Sequence, residues 1–351
     1  MRTVSTFCFL HFCSLLKVTH FHRRPTEWHH SIERLFADVR RAMPEGVACT
    51  PHVSPRFSRA VWPRLINMVD AARHQGEVNH ITGDVHYLAL ALDGRRTLLT
   101  VHDCVSLHRL NGLRRAAFKM LWYTLPLSRA ALVTVISESA RNELLRHVRC
   151  NPTKIRVVPD CVGEGYAPSP KPFNTQEPLI LHLGTGPNKN LERLARALAG
   201  LPCRLNILGR LTPAQEAALA AARVRYTNTP RAADAEVLEA YQRCDIVAFV
   251  STYEGFGLPI IEANAVGRPV VTSNILPMPE VAGDAACFVD PSDPGSIRQG
   301  MLKVWHDAGY RASLVAAGLE NVKRFTPASA AAKYVELYEE LARAQLNGRS
   351  G

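Results

Sequence analysis

The chain lacks several features whose absence narrows its chemistry. Its nine cysteines include no CxxC pair, so neither a zinc knuckle nor a disulfide framework is expected, and a reducing compartment is the simpler setting. No apolar run approaches the roughly 20 residues that a helical membrane span needs. The most apolar segment, Phe7 to Leu16 (FCFLHFCSLL), has the length of a signal-peptide core, but a His/Arg run follows it and a small-residue cleavage site does not. Residues 1–16 are therefore read as an extension or an over-long gene start, with the fold opening near Lys17. Neither GxxxxGK[ST] nor GxGxxG occurs, which argues against a P-loop and against a nicotinamide dehydrogenase. There is no internal repeat, and no motif or Arg-aromatic repeat of a nucleic-acid binder.

What is present is ordinary for a globular enzyme: 351 residues, 47% apolar and 21% charged, enough for two domains with a core each. The charge is unevenly placed. Residues 1–175 hold 24 Lys and Arg against 13 Asp and Glu, whereas residues 176–351 hold 18 against 18. A basic half beside a neutral half implies an anionic partner met by the first half, such as a phospholipid surface, a lipid-linked phosphate or an acidic glycan. A merely solvated basic surface is the other reading.

Hydrophobic patterning predicts an α/β chain. In the first half, short apolar runs at Val18–Phe21, Val78–Thr82, Thr97–Val101 and Leu132–Ile136 read as strands, and Ser31–Ala42, Leu113–Leu127 and Ser139–Val148 read as helices. The stretch 159–178, with five prolines, reads as a connection between domains. Beyond it the alternation restarts at Leu179–Leu183 and runs through strands at Arg204–Leu208, near Val224, at Asp245–Val250, Val270–Thr272 and Ala286–Val289. The expected organisation is a first Rossmann-like domain over 17–165, a linker over 166–178, a second such domain over 179–330, and a C-terminal helix over 331–351 packing back on the first domain, with a cleft between the two sheets.

Two turns in the second half carry candidate chemistry, because open α/β sheets bind ligands beyond the carboxyl ends of their strands. "HLGTGPNKNLERL" (182–194) places Gly184, Thr185 and Gly186 after a strand and Lys189 at a helix start, which offers main-chain N–H groups and one cation to a diphosphate. "YEGFGLPIIEANAVGRPVV" (253–271) puts Glu254 in a strand-to-helix turn and Glu262 one turn into the helix. An acid beside an anion site would repel phosphate, so its expected partners are neutral hydroxyls, as on sugars and riboses. The plainer reading is a solvated loop acid and a helix-dipole acid.

Taken with "VVPDCV" (157–162), "TVISESARNELL" (134–145) and "MPEVAGDAACFVDPSD" (278–293), the two turns give a chain that resembles the retaining glycosyltransferases of family 4 over roughly residues 95–345. The resemblance implies the GT-B fold and transfer of a hexose, such as glucose or mannose, from a UDP- or GDP-linked donor to a glycan or lipid-linked acceptor. It implies that Glu254 meets donor-sugar hydroxyls, Glu262 the ribose, and Lys189 the diphosphate, with the amides of Gly255, Phe256, Gly257 and Leu258 along the donor. Many family members carry Arg-Lys where this chain has Asn188-Lys189; Arg210 in "ILGRL" is a candidate for the missing phosphate contact. There is no DxD motif, so no metal and no further cofactor is expected.

In the first half, "LLTVHDCVSL" (98–107) matches the family's His-Asp site, with His102 reaching the transferred sugar and Asp103 beside it. His86 in "HITGDVHYLAL" (80–90) is a further acceptor-side candidate. The usual glycine-rich loop after the first strand is replaced by "FHRRPTEWHHSIERLF" (21–36), where Arg23, Arg24, His29 and His30 either meet an anionic acceptor or form an exposed basic loop. The segment 110–127 mixes Arg114, Arg115 and Lys119 with Phe118, Leu121, Trp122 and Tyr123, and either lies on an anionic membrane or is core on one side. The expected location is cytoplasmic, at the inner face of the membrane if that helix docks. Two alternatives stay open: a nucleotide-sugar epimerase of the same fold, which would release a changed donor without an acceptor, and a non-catalytic basic membrane- or polyanion-binding protein, which would bind donors without turnover.

Overall fold

The computed structural model describes residues 15–25 and 31–347. The expected N-terminal extension, Leu15 and Leu16 apart, lies outside them, as do His29 and His30. The first sheet contains β1 (Leu16–His22), β2 (Val47–Val53), β3 (Val78–Ile81), β4 (Thr97–Val101), β5 (Leu132–Val135) and β6 (Ile155–Val157) in the order β2-β1-β3-β4-β5-β6. The second contains β7 (Leu179–Leu183), β8 (Arg204–Leu208), β9 (Arg225–Thr229), β10 (Ile246–Phe249), β11 (Val270–Ser273) and β12 (Cys287–Val289) in the order β12-β11-β10-β7-β8-β9. Every strand pair is parallel.

Helices cover both faces, so central strands such as β4, β5 and β10 are buried along their whole length, which explains their continuous apolar runs. Strand order reverses at β1 in the first sheet and at β7 in the second, and a switch point of this kind opens a crevice beyond the strand ends. The two candidate turns, 184–189 and 250–257, follow β7 and its neighbour β10.

The sequence reading missed β2, the helix Val61–Arg73 and β6, and it ran one helix through 113–127. There the chain forms a helix at Gly112–Lys119, a π-helical turn at Met120–Thr124, and a helix again at Leu125–Arg129. The wider turn buries Trp122 and Tyr123. The proline-rich stretch is pinned to the second lobe: Arg268 donates to the Ser169 carbonyl at 2.8 Å, and Lys171 meets the buried Asp245 at 2.5 Å.

The C-terminal helix Pro327–Asn347 crosses to the first lobe, where Tyr334, Leu337, Tyr338 and Leu341 join a core with Leu16, Val18, Phe36 and Val78. A buried polar chain locks it there. The Tyr338 hydroxyl lies 2.9 Å from His20 Nε2 and 2.7 Å from His80 Nδ1; His80 Nε2 reaches Thr100 Oγ1 at 2.7 Å, and Thr100 reaches Thr134 at 2.7 Å. Beside it, Arg40 donates to His22 Nε2 at 2.9 Å. Arginine can only donate, so that nitrogen must hold a lone pair and His22 must be neutral. Burial lowers His20 and His80 well below the usual imidazole value and His22 to about 3, with Arg40 adding to the burial effect.

The lobes touch closely. A Cβ on Gly255 would lie 2.6 Å from the His102 carbonyl oxygen, Ser137 Oγ donates to the Gly255 carbonyl at 2.8 Å, and Glu280 accepts from the N–H groups of Glu138 at 2.7 Å and Ser139 at 3.1 Å. The Tyr253 hydroxyl donates to Glu143 at 2.7 Å, and Arg34 pairs with Asp234 at 2.5 Å.

Histidines held neutral by the fold stabilise it fully above their unfolded pKa of about 6.5 and cease to do so as pH falls toward the lowered folded value. Urea midpoints are therefore expected to drop between pH 7.5 and 4, with a slope of up to about 1.4 kcal/mol per pH unit for each such histidine. Tyr338→Phe, which leaves two buried imidazoles short of a partner, should cost about 1–3 kcal/mol at pH 7.5. Gly255→Ala should prevent the lobes from closing while each keeps its fold, read as a larger radius of gyration by X-ray scattering with unchanged circular dichroism.

Candidate active site

The second lobe supplies two βα turns. After β7 the chain turns through Gly184, whose φ of +81° is a left-handed conformation suited to glycine. The Lys189 side chain packs directly over it, since a Cβ on Gly184 would come within 3.0 Å of Lys189 Cε. The turn closes at Asn190, also left-handed at φ +64°, whose Nδ2 donates to the carbonyls of Val250 at 2.9 Å and Pro291 at 2.8 Å. Asn190 thus ties the first turn to the end of β10.

After β10, Gly257 at φ +114° starts the helix Leu258–Val266, and no side chain caps that helix start. Pro259 has no N–H and Ile260 N donates to the Gly257 carbonyl at 2.9 Å, so the Leu258 N–H and the positive end of the dipole are what remain to meet an anion. Phe256 is buried edge-on against Phe325, which fixes the glycines on either side.

Neighbouring strands bring these turns together. Lys189 Nζ pairs with Glu254 Oε1 at 2.6 Å and lies 5.1 Å over the ring of Phe249. Asn188, in the position where an arginine was expected, donates through Nδ2 to the Tyr253 carbonyl at 3.0 Å and to Glu254 Oε1 at 3.3 Å, and its own carbonyl accepts from Thr252 N at 2.8 Å. It cross-braces the turns. Arg210 is exposed; its carbonyl accepts from Thr185 Oγ1 at 2.6 Å, and its guanidinium has no partner among the described residues.

From the first lobe, His102 at the end of β4 donates through Nε2 to the Thr82 carbonyl at 2.8 Å, so its Nδ1 is the nitrogen left for other partners. Asp103 is exposed and accepts from Val105 N at 2.9 Å. His86 is buried, with Nδ1 donating to the Trp122 carbonyl at 2.9 Å; desolvation keeps it neutral. Asp84 accepts from Trp122 Nε1 at 2.6 Å. These residues, with Arg23, Tyr123, Asn188, Tyr253, Glu254 and Gly255, line a cleft of ≈ 850 Å³ between the lobes.

Not every predicted residue reaches that cleft. Glu262 is not among its lining residues, and neither are Lys189, Gly184, Thr185, Gly186, Arg210, Phe256, Gly257 and Leu258; Glu262 Oε2 accepts from the Tyr241 hydroxyl at 2.6 Å, and burial raises its carboxyl against the pull of Tyr241 and Arg34. Arg24 lies elsewhere, donating to the Pro55 carbonyl at 2.7 Å with its guanidinium 5.0 Å from the Phe57 ring centroid. Arg23 does line the cleft, but it is paired with Glu33 at 2.9 Å. Asp160, quoted within "VVPDCV" but given no role from sequence, is buried close enough to His102 to feel its charge; burial pushes its carboxyl up to about 6.

The arrangement offers one ammonium, a glycine-lined turn and a free helix start for an anion, a carboxylate for hydroxyl groups beside them, and an imidazole facing from the other lobe. Residues 167–320 match the family described as Glycosyl transferases group 1, and residues 23–163 match Glycosyltransferase Family 4. O-antigen chain mannosyltransferase B of Escherichia coli is 36% identical over 108 residues, covering 31% of this chain and 28% of that protein. Serotype-specific mannosyltransferase WbdA of Escherichia coli is 28% identical over 237 residues, covering 61% of this chain and 29% of that protein. The chain therefore spans under a third of the length of these relatives. Among solved structures, Anabaena Alr3699/HepE in complex with UDP-glucose superposes with a TM-score of 0.71 at 15% identity, covering 93% of this chain and all of that one, which shows the GT-B fold. The chain belongs to the group 1 glycosyltransferases of family 4.

Proposed function

We propose that this glycosyltransferase moves a hexose, mannose or glucose, from a UDP- or GDP-linked donor to a glycan or lipid-linked acceptor in surface polysaccharide synthesis, with retention of configuration and without a catalytic metal. The observation that carries the reading is the Lys189–Glu254 pair at the joined ends of β7 and β10, opposite His102. The relatives' names favour mannose, and a protein of the same fold that is solved in complex with UDP-glucose supports a nucleotide-linked hexose as donor.

The roles follow from charge. As the glycosidic bond breaks, negative charge grows on the leaving diphosphate; Lys189, the amides of 255–258 and the free helix start stabilise it, and Arg210 stands at the same rim. Preorganised charge of this kind is worth several kcal/mol in the transition state. Glu254 holds sugar hydroxyls and positions the donor, with no nucleophilic part. The leaving phosphate oxygen takes the acceptor's proton while attack comes from the same face. With Arg23 neutralised by Glu33 and with Asp84 and Asp103 exposing carboxylate oxygen to the cleft, the acceptor part that enters is a neutral polyol; an anionic headgroup stays outside.

That headgroup has a surface to meet. On the helix Val61–Arg73, Trp62 is 74% exposed, and Leu65, Ile66 and Val69 are exposed with it at a helical spacing that makes one stripe. Arg56, Arg59, Arg64 and Arg73 flank it, and Arg64 stacks on Trp122 at 5.0 Å, joining the stripe to the segment 112–129, where Leu113, Met120 and Leu121 are exposed beside Arg114, Arg115 and Lys119. No helix among the described residues is long and apolar enough to cross a membrane. We read the stripe as resting on an anionic lipid surface.

Lys189→Ala and Glu254→Ala should each lower transfer by about 10²–10³-fold in assays with UDP- and GDP-hexoses, with unchanged circular dichroism, and the product's anomeric configuration should match the donor's by NMR. Near-normal transfer by both variants would remove the site from the mechanism. Trp62→Glu should weaken co-sedimentation with phosphatidylglycerol vesicles at least tenfold and leave transfer to a water-soluble acceptor unchanged.

A further inference from the structure

Away from the cleft, one group of side chains has donor chemistry that sugar transfer does not use. His52 stands on the edge strand β2; Asp70 and His74 lie one helical turn apart at the end of the helix Val61–Arg73. One ligand atom from each lies within 4.8 Å of the other two. His52 Nε2 is 2.6 Å from Asp70 Oδ2, and the two imidazole rings stack with centroids 4.3 Å apart. His74 Nδ1 donates to the Asp70 main-chain carbonyl at 2.8 Å, which fixes its tautomer and leaves Nε2 with a lone pair. A backbone carbonyl orients metal-bound histidines in the same way.

As an ion pair the group is over-supplied, since two imidazoles share one carboxylate. The proton between His52 and Asp70 stands where a softer cation could bind all three. We propose that His52, Asp70 and His74 form a site for a divalent transition-metal ion such as Zn²⁺, which fastens the edge strand β2 to the helix Val61–Arg73. Two ring nitrogens and one carboxylate oxygen suit Zn²⁺, Ni²⁺ or Cu²⁺ and disfavour Mg²⁺ and Ca²⁺, which take oxygen donors. The side chains are partly exposed, so water completes the coordination. None of the three lines the cleft, so the ion has no part in transfer, and the proposal stands apart from the assigned reaction.

The test titrates the full, untagged chain with ZnCl₂ by calorimetry at pH 7.5, in a buffer that binds zinc weakly. One saturable equivalent is expected, with binding at least tenfold weaker in His52→Ala, in His74→Ala and in the isosteric Asp70→Asn. Zinc should raise the melting temperature of the wild type but not of the His52→Ala/His74→Ala double variant, and MgCl₂ should do neither. Sugar transfer should proceed at the same rate with zinc or with a chelator, so a failed transfer assay does not bear on this site. No saturable uptake by the folded wild type, or undiminished uptake by the single variants, overturns the proposal.

Discussion

The 2.6 Å contact between Lys189 and Glu254 organises the second lobe's working end. The residues are 65 positions apart, and they meet because β7 and β10 are neighbours across the point where strand order reverses. Much of the local sequence serves that contact. Gly184 clears the path of the lysine chain, Asn190 ties one turn to the next, and Asn188 braces both. A lysine held by a carboxylate and lying over an aromatic ring is already oriented when an anion arrives, so little ordering remains to be done at binding.

The first lobe adds a different kind of constraint. Gly255 lies so near the His102 carbonyl that any side chain there would separate the lobes, and the contact places an imidazole opposite the lysine–carboxylate pair. Charge is sorted along the same division. Asp84, Asp103 and Glu254 line the cleft, whereas Arg56, Arg59, Arg64, Arg73, Arg114, Arg115 and Lys119 accompany the exposed apolar side chains of the outer helices. A chain that met an anionic polymer inside its cleft would show the reverse.

Much of this was legible in the sequence, because buried parallel strands and glycine-marked turns leave strong local signals. β4, β7, β8 and β10 read out within a residue of their ends, and Glu254, His102 and Asp103 from three of the motifs line one cleft, with Lys189 paired to Glu254. The misses have physical causes. β2 is an exposed edge strand carrying Pro51, so it lacks the apolar run of a central strand. The helix Val61–Arg73 turns apolar residues outward, which erases the contrast that marks a helix facing one core. The π-helical turn at Met120–Thr124 has no sequence signature. Two contacts could not be read from the sequence: Glu262 accepts from a tyrosine of the helix Asp234–Arg243, and Asp160 lies near a histidine 58 residues earlier. Contacts of that kind are tertiary and leave no local mark.

The helix that seals the first sheet is encoded after the whole second lobe. During synthesis, the strands beginning at Leu16 leave the ribosome long before Tyr334 and Tyr338 exist to cover them, so His20 and His80 spend that interval without the hydroxyl they share. The first lobe therefore cannot reach its final packing in the order in which it is made. Translation must pass residue 338 before the first lobe is finished, and until then that lobe presents unburied surface to the chaperones of the cell.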